Sequence, residues 1–406
     1  MDTEEIIETT KRLIAIKSTA DNPEALHEAV EVVAEIVRTR CPDVTIEWFE
    51  RRDKPSFLAY RGKQRPAKFE ILLNGHVDVV PGAPDQFTPT VKDGRLYGRG
   101  SLDMKGTTVA LAAAFCEMVN KVPYALGLQI VSDEEIGGYN GASLQIEQGV
   151  RTSLALMGEY SNHDNAIYYR ARGLCWIELA FKGTSAHGGH LWHGSNAIMK
   201  ASDFAQAILQ RYPTPAEETW TTTASISSIN TGNTAYNRVP DEAVLKVDFR
   251  FTPEETAFTD RDTLLAFIHE IDPEAELLDV AVFEPAVGID ENDPRLQTLV
   301  HAYSDALGKP AQLLSRPAGT DGRHYALQGA SVIEFGVFGM GPHSDHEYME
   351  LSSVETYTTT IKQFLANVTP HTEGGTNEQQ QGAETGAQPI TPTRRTPQRD
   401  GALLGH

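Results

Sequence analysis

The sequence predicts an α/β protein: a mixed, largely parallel sheet flanked by helices, interrupted by a smaller α+β insert. Three observations predict it. Short apolar runs alternate with helix-length periodic stretches through the first part of the chain, as in successive βαβ units. After Gly173 the pattern changes to strands of alternating polarity around two helices. Finally, histidines and acids recur where apolar runs end, and the carboxyl edge of the strands is where open α/β sheets place ligands. A chain of 406 residues exceeds one ordinary core, so two domains are expected.

The elements follow in order. Ile6, Ile7, Leu13, Ile14 and Ile16 form one helix face, and a second helix spans Glu24 to Arg38. Strand-like runs lie at Thr45 to Phe49, Ser56 to Tyr60 and Phe69 to Leu73. A helix is predicted from Met104 to Met118, a strand from Leu126 to Val131, a helix from Gly141, and a short strand ending at Met157. In the insert, Trp176 to Phe181 alternates as a strand. A loop from Thr184 to Ser195 carries His187, His190, Trp192 and His193. A helix from Asn196 to Arg211, strands Thr221 to Ile229 and Ala243 to Phe249, and a helix Thr263 to Ile271 follow. A strand at Leu277 to Phe283 is expected to return the chain to the larger sheet, before helices at Asp293 to Leu307 and Ser352 to Ala366. The predicted layout is residues 1–173 and 282–370 in one domain, 174–281 in the insert, and 371–406 as a tail. The tail is rich in Gln, Gly, Thr and Pro, with no apolar period, and reads as disordered. Its Arg394, Arg395 and Arg399 are read as an unselected solvated stretch rather than a docking motif.

Composition narrows the function. Asp+Glu number 56 against Lys+Arg 35, a net charge of −21, which disfavours a nucleic-acid partner. Cys41, Cys116 and Cys175 have no paired spacing, so neither a disulfide framework nor a cysteine zinc site is expected, and Cys116 reads as a small core hydrophobe. The start, MDTEEIIETTKRLIAI, is acidic and amphipathic, unlike a signal peptide, and no run approaches the roughly 20 apolar residues of a membrane span. A cytoplasmic protein without membrane partners is expected.

The chemistry concentrates in a few motifs. The Phe69 strand delivers His76-Val77-Asp78, and on a strand residues i and i+2 share a face, so Asp78 can orient the His76 imidazole. A glycine-rich turn, Tyr97 to Ser101, leads to Asp103. The next strand ends in Asp133-Glu134-Glu135 and two glycines, a run of repelling carboxylates that calls for a cation. Met157-Gly158-Glu159 closes another strand, and Pro342-His343-Ser344-Asp345-His346-Glu347-Tyr348 adds histidines near the end.

The motifs GHVDVVP, GRGSLDMKG, SDEEIGG, MGEYS and PHSDHEY resemble those of the dinuclear zinc hydrolases that include acetylornithine deacetylase, succinyl-diaminopimelate desuccinylase and glutamate carboxypeptidase. The resemblance implies that His76, Asp103, Glu135, Glu159 and His343 are metal ligands, with Asp103 bridging two ions. His346 is the alternative late ligand. Two zinc ions per chain are implied, with cobalt or manganese as substitutes. It also implies that Glu134 is the general base, Asp78 the orienter of His76, and the insert a lid and dimerisation domain in a homodimer. His187 would then support the oxyanion from the lid, with His193 as the alternative. Arg250, Asn237, Arg323 and Thr320 match substrate positions, although Arg250 also reads as an ion pair with Asp248. Tyr168 and Ala171 stand where a desuccinylase would place basic residues, and Gly319-Thr320-Asp321 lacks a serine common in relatives. The expected function is hydrolysis of an amide in a small N-acyl amino acid, acetylornithine-deacetylase-like. Dipeptidase, carboxypeptidase and desuccinylase activities are the alternatives. A non-catalytic protein on the same fold is disfavoured because every ligand and the base are present, and a structural zinc protein because the set is carboxylate-rich.

Overall fold

The structure, a computed structural model, describes residues 1–217, 219–316, 319–369 and 390. It divides into two compact units, one built from Met1–Arg170 and the described residues 287–369, the other from Ala171–Ala286 with Ile390.

The first unit is built on a nine-stranded sheet. Its order is Val44–Arg51, Lys54–Arg61, Leu126–Val131, Phe69–His76, Thr152–Met157, Ser331–Glu334, Ala166–Ala171 and Val287–Gly288, with Gln312–Arg316 pairing off the Ala166 strand. The central four strands run parallel, Leu126 beside Phe69, Phe69 beside Thr152, and Thr152 beside Ser331. Register matters here: His76 lies opposite Val131, and Asn74 opposite Met157. The carboxyl ends of three strands are therefore level, and the segments that leave them start from one line.

Helices cover this sheet for reasons visible in their sequences. The first, Thr3–Ala15, starts in a capping box, Asp2 accepting from the Glu5 N–H at 2.9 Å while Glu5 accepts from the Asp2 N–H at 3.0 Å. The second, Pro23–Arg40, begins one residue earlier than predicted because Pro23 suits the first helical position and Asn22 caps it. The third, Gly106–Met118, is buried almost all round, which its Ala-rich, non-periodic sequence permits. It begins after Met104, the predicted start: Asp103 and Met104 have non-helical backbone angles and form the turn that precedes it. A third, four-stranded antiparallel sheet was not predicted. It joins Gly339–Met340, Tyr348–Glu350, Arg95–Tyr97 and Thr90–Lys92.

The cysteine expectation is corrected. Cys41, which caps the second helix, and Cys116, in the third, are disulfide-bonded with Cα atoms 5.4 Å apart. Packing of one helix end on the next brings together residues 75 positions apart, and no local spacing encodes that. Cys175 is free and buried.

The second unit carries a four-stranded sheet in the order Thr223–Asn230, Glu242–Phe251, Gly173–Lys182 and Glu276–Glu284, all antiparallel, with helices Ala197–Arg211 and Arg261–Ile271 packed on its core. The Glu276–Glu284 strand therefore does not return the chain to the larger sheet, as expected; it pairs with Gly173–Lys182 as the edge of this one. The disordered tail expected over 371–406 lies outside the described residues except for Ile390, which is buried in the core of the second unit. No described helix is long and apolar enough to cross a membrane.

Candidate metal centre

The level strand ends of the first unit, with the Asp103 turn and the His343 loop, bring together two histidines and four acids. His76 is wholly buried at the tip of its strand. Its Nδ1 lies 3.0 Å from the Asp78 carbonyl oxygen and 3.5 Å from Asp78 Oδ1, so the carbonyl is the closer partner. Its Nε2 points inward, 3.2 Å from Asp103 Oδ1. The other carboxylate oxygen, Asp103 Oδ2, lies 3.1 Å from His343 Nε2, and that same nitrogen is 3.2 Å from Glu135 Oε2. Asp103 thus stands between two imidazoles, one from a strand of the main sheet and one from a loop near the chain's end.

The second acid pair comes from the turn after Val131. Glu134 and Glu135 lie in a single 3-10 turn, Glu134–Ile136, that the left-handed Gly137 and Gly138 (φ 110° and 67°) can follow without strain. Adjacent residues in such a turn point differently. Ligand atoms of His76, Asp103 and Glu135 all lie within 4.8 Å of one another, and so do those of His76, Glu134 and Glu159. Asp78 also stabilises this turn, its Oδ2 accepting the Glu135 N–H at 3.0 Å. His343 takes the left-handed conformation (φ 61°), unusual without glycine, in a tight loop after Gly341.

Burial makes these carboxylates costly as anions. It pushes Glu135 up to about 7, raises Glu134, and raises Glu159 well above the usual carboxylate range. Hydrogen bonds donated to Asp103 and Glu135 push His343 up to about 10. Hydrogen bonds from the two histidines instead hold Asp103 low despite its burial. Asp78 Oδ1 and Glu135 Oε1 are buried without a hydrogen-bond partner. Two imidazole nitrogens facing carboxylates, with orphaned carboxylate oxygens beside them, are a donor set that fits divalent cations once the imidazoles give up their protons.

Of the remaining sequence candidates, Arg323 is buried in the short helix Gly322–Ala326 of the same unit, and its charge favours ionised Glu134. Thr320 Oγ1 accepts the Gly322 N–H at 3.0 Å, which shapes the start of that helix. His346 is exposed, its N–H held by Ser344 Oγ at 3.1 Å, and takes no part in the contacts to Asp103 and Glu135 that His343 makes. Tyr168 is packed under the Arg316 guanidinium, 4.4 Å from its ring centre. The other candidates belong to the second unit. Arg250 is paired with Asp248 at 2.9 and 3.2 Å, which is the ion-pair reading of that residue. His187 Nδ1 accepts the Gly189 N–H at 3.0 Å, and its ring lies 5.5 Å from His190 in an exposed loop. Asn237 accepts the Gly188 N–H through its carbonyl at 2.7 Å, and His193 accepts from Trp192 Nε1 at 3.0 Å. Arg99, in GRGSLDMKG, and Glu347, in PHSDHEY, have no role among the sequence expectations, yet both are buried and ion-paired with each other at 2.7 Å.

Residues 72–367 match the model of peptidase family M20/M25/M40. The chain is 30% identical over 349 residues to a succinyl-diaminopimelate desuccinylase of Albidiferax ferrireducens, covering 80% of this chain and 86% of that protein. It is 29% identical to the desuccinylase of Acinetobacter baylyi over 84% of this chain and 94% of that one. Among solved structures, aminopeptidase PepT of Bacillus cereus shares the fold with a TM-score of 0.67 and 17% identity, over 90% of this chain and 98% of that one. The YXEP protein of Bacillus subtilis, described as a dinuclear metal binding peptidase, does so with a TM-score of 0.60 and 14% identity, over 90% and 97%. A buried histidine–carboxylate cluster at the strand ends of this fold, with a family match across most of the chain, identifies a metal-dependent hydrolase of amide bonds belonging to peptidase family M20/M25/M40.

Proposed function

We propose that the protein hydrolyses the amide bond of a small N-acyl amino acid, using two zinc ions held by His76, Asp103, Glu135, Glu159 and His343. The observation that carries the two-ion reading is the single carboxylate of Asp103 set between His76 and His343. One ion would be completed by His76 and Glu159, the other by Glu135 and His343. Cobalt or manganese suits the same donor set. Such a pair supplies Lewis acidity and lowers the proton affinity of water at neutral pH.

The chain's own residues do the rest. Asp78 fixes the His76 tautomer and the Glu135 backbone together. Glu134 accepts a proton from the attacking water and passes it to the leaving nitrogen, a role for which a burial-raised carboxyl is suited. The charge of Arg323 favours the ionised Glu134 that must accept that proton, and the anion is restored once the proton has left. For the substrate's carboxylate we propose Arg250 and Asn237 of the second unit, Arg250 exchanging Asp248 for the ligand. We further propose that the second unit serves as lid and dimer contact in a cytoplasmic homodimer.

Named relatives leave desuccinylation as the second reading. Against it stands the resemblance's own expectation of basic residues at positions held here by Tyr168 and Ala171; the cation nearest the Tyr168 ring, Arg316, is already paired with Glu334. Release assays over N-acetyl, N-succinyl and dipeptide substrates decide between these. A preference of at least tenfold in kcat/KM for N-succinyl substrates would overturn the first reading.

Metal removal gives a prediction for the site as a whole. Chelation should abolish turnover and lower Tm. Restoring zinc to a hundredfold above its Kd should return about 2.7 kcal/mol of stability for each ion bound. Binding should tighten as pH rises from 5 to 8, because the raised Glu135 and His343 must lose protons to bind. Full activity in chelator with no metal by elemental analysis would sink the two-ion reading.

A further inference from the structure

Beyond the ligand set lies a buried carboxylate that the mechanism above does not use. Glu347 is 2% exposed, four residues after His343 in the loop entering the Tyr348–Glu350 strand. Its Oε1 accepts two successive backbone N–H groups, Leu102 at 3.0 Å and Asp103 at 3.1 Å. Its Oε2 accepts from Arg99 Nη1 at 2.7 Å, and Arg99 is equally buried. The two segments are also tied by strand pairing, Tyr348 opposite Tyr97.

We infer that Glu347 is a positioning residue: it sets the spacing between Asp103 and His343, and so the geometry of the ion they share. The inference rests on the two-ion reading given above. Asp103 and Met104 sit in a non-helical turn, where their N–H groups have no regular ladder to join. Holding that turn by a buried anion next to Asp103 is electrostatically expensive unless the anion gains something specific. What it gains is a fixed Asp103 backbone, with the guanidinium of Arg99 offsetting its charge. His76 and Glu159 stand on or beside strands of the main sheet, so their positions do not depend on this clamp. Asp103 and His343 are both on loops, and Glu347 ties the backbone of the Asp103 turn to the segment that follows His343. Loosening it should therefore affect the ion of Glu135 and His343, two of whose ligands (Asp103 and His343) it positions, more than the ion of His76 and Glu159, which shares only Asp103 with the clamp.

The strand pair supplies its own control. Glu350 and Arg95 form an ion pair of the same type at 2.8 Å across the same small sheet, but touch no candidate ligand backbone. The test is stepwise titration of the full-length apoprotein with zinc and with cobalt, following the cobalt d–d spectrum. Glu347→Gln keeps the shape but turns an acceptor toward Arg99 into a donor. It should weaken one of the two ions by about 10–100-fold, leave the other within a few-fold, and change the cobalt spectrum of the weakened site. Glu350→Gln should match wild type. If Glu347→Gln does not fold, Arg99→Met should weaken the same ion by about tenfold, since it frees the carboxylate to move. Two wild-type-like affinities in the folded variants, or an equal loss in Glu350→Gln, would overturn the inference. A wild-type protein that takes up no second ion would instead overturn the two-ion reading.

Discussion

Glu134→Ala should lower kcat by about 10²–10⁴-fold or more while leaving metal content near that of wild type. Glu135→Ala, one residue away, should lose one ion. The structure makes the contrast sharp because the two side chains leave one 3-10 turn with different partners. Glu135 Oε2 meets His343, and its N–H is held by Asp78. Glu134 lies near His76 and Glu159, facing Arg323's charge. That proximity means truncation at Glu134 can disturb the first ion, so Glu134→Gln belongs in the same experiment. It keeps the volume and one oxygen but cannot take up a proton. Elemental analysis beside single-turnover rates separates the roles. Equal metal loss in the alanine variants at 134 and 135 would mean the assignments are wrong, and a Glu134→Gln enzyme with wild-type kcat would remove Glu134 from proton transfer.

The parts of this molecule legible in the sequence are those whose signal is local. The Phe69, Leu126 and Thr152 strands read clearly because each is an apolar run that stops abruptly at a motif. Parallel register then places the motifs side by side without further information. What was missed depends on partners distant in the chain. The Arg95–Tyr97 and Tyr348–Glu350 strands have three residues each, too short to show a period, and their pairing spans some 250 positions. Yet this small sheet aligns the Asp103 turn with the His343 loop. The Cys41–Cys116 bond and the edge position of Glu276–Glu284 are likewise products of packing. Arg250 shows the opposite difficulty. Its match to a substrate position and its ion pair with Asp248, two residues away on one strand face, are written in the same three letters, and only the structure reports the pairing.

Replacing His187 by alanine should lower kcat by about 10²–10³-fold with little change in metal content, the range for loss of one oxyanion donor. The motivation is chemical and positional. The cluster of the first unit is made of carboxylates and two imidazoles, so a developing oxyanion there would have the proposed ions for support. His187 belongs to the second unit, in an exposed loop where Gly189 donates to Nδ1 and leaves Nε2 as the nitrogen able to carry a proton outward. An exposed imidazole costs little to reposition, and a lid that brought it to the substrate would also exclude water and strengthen each charge interaction there. His193 is the internal comparison. It accepts from Trp192 and should tolerate alanine with less than a tenfold loss. If the active pair is formed across a dimer, mixing inactive His187→Ala with inactive Glu134→Ala subunits should restore part of the activity, because each mixed dimer holds one site with both groups intact. Recovery in subunits shown to exchange assigns His187 to its neighbour's site. No recovery assigns it to its own chain, and a His187→Ala enzyme with wild-type kcat removes it from catalysis.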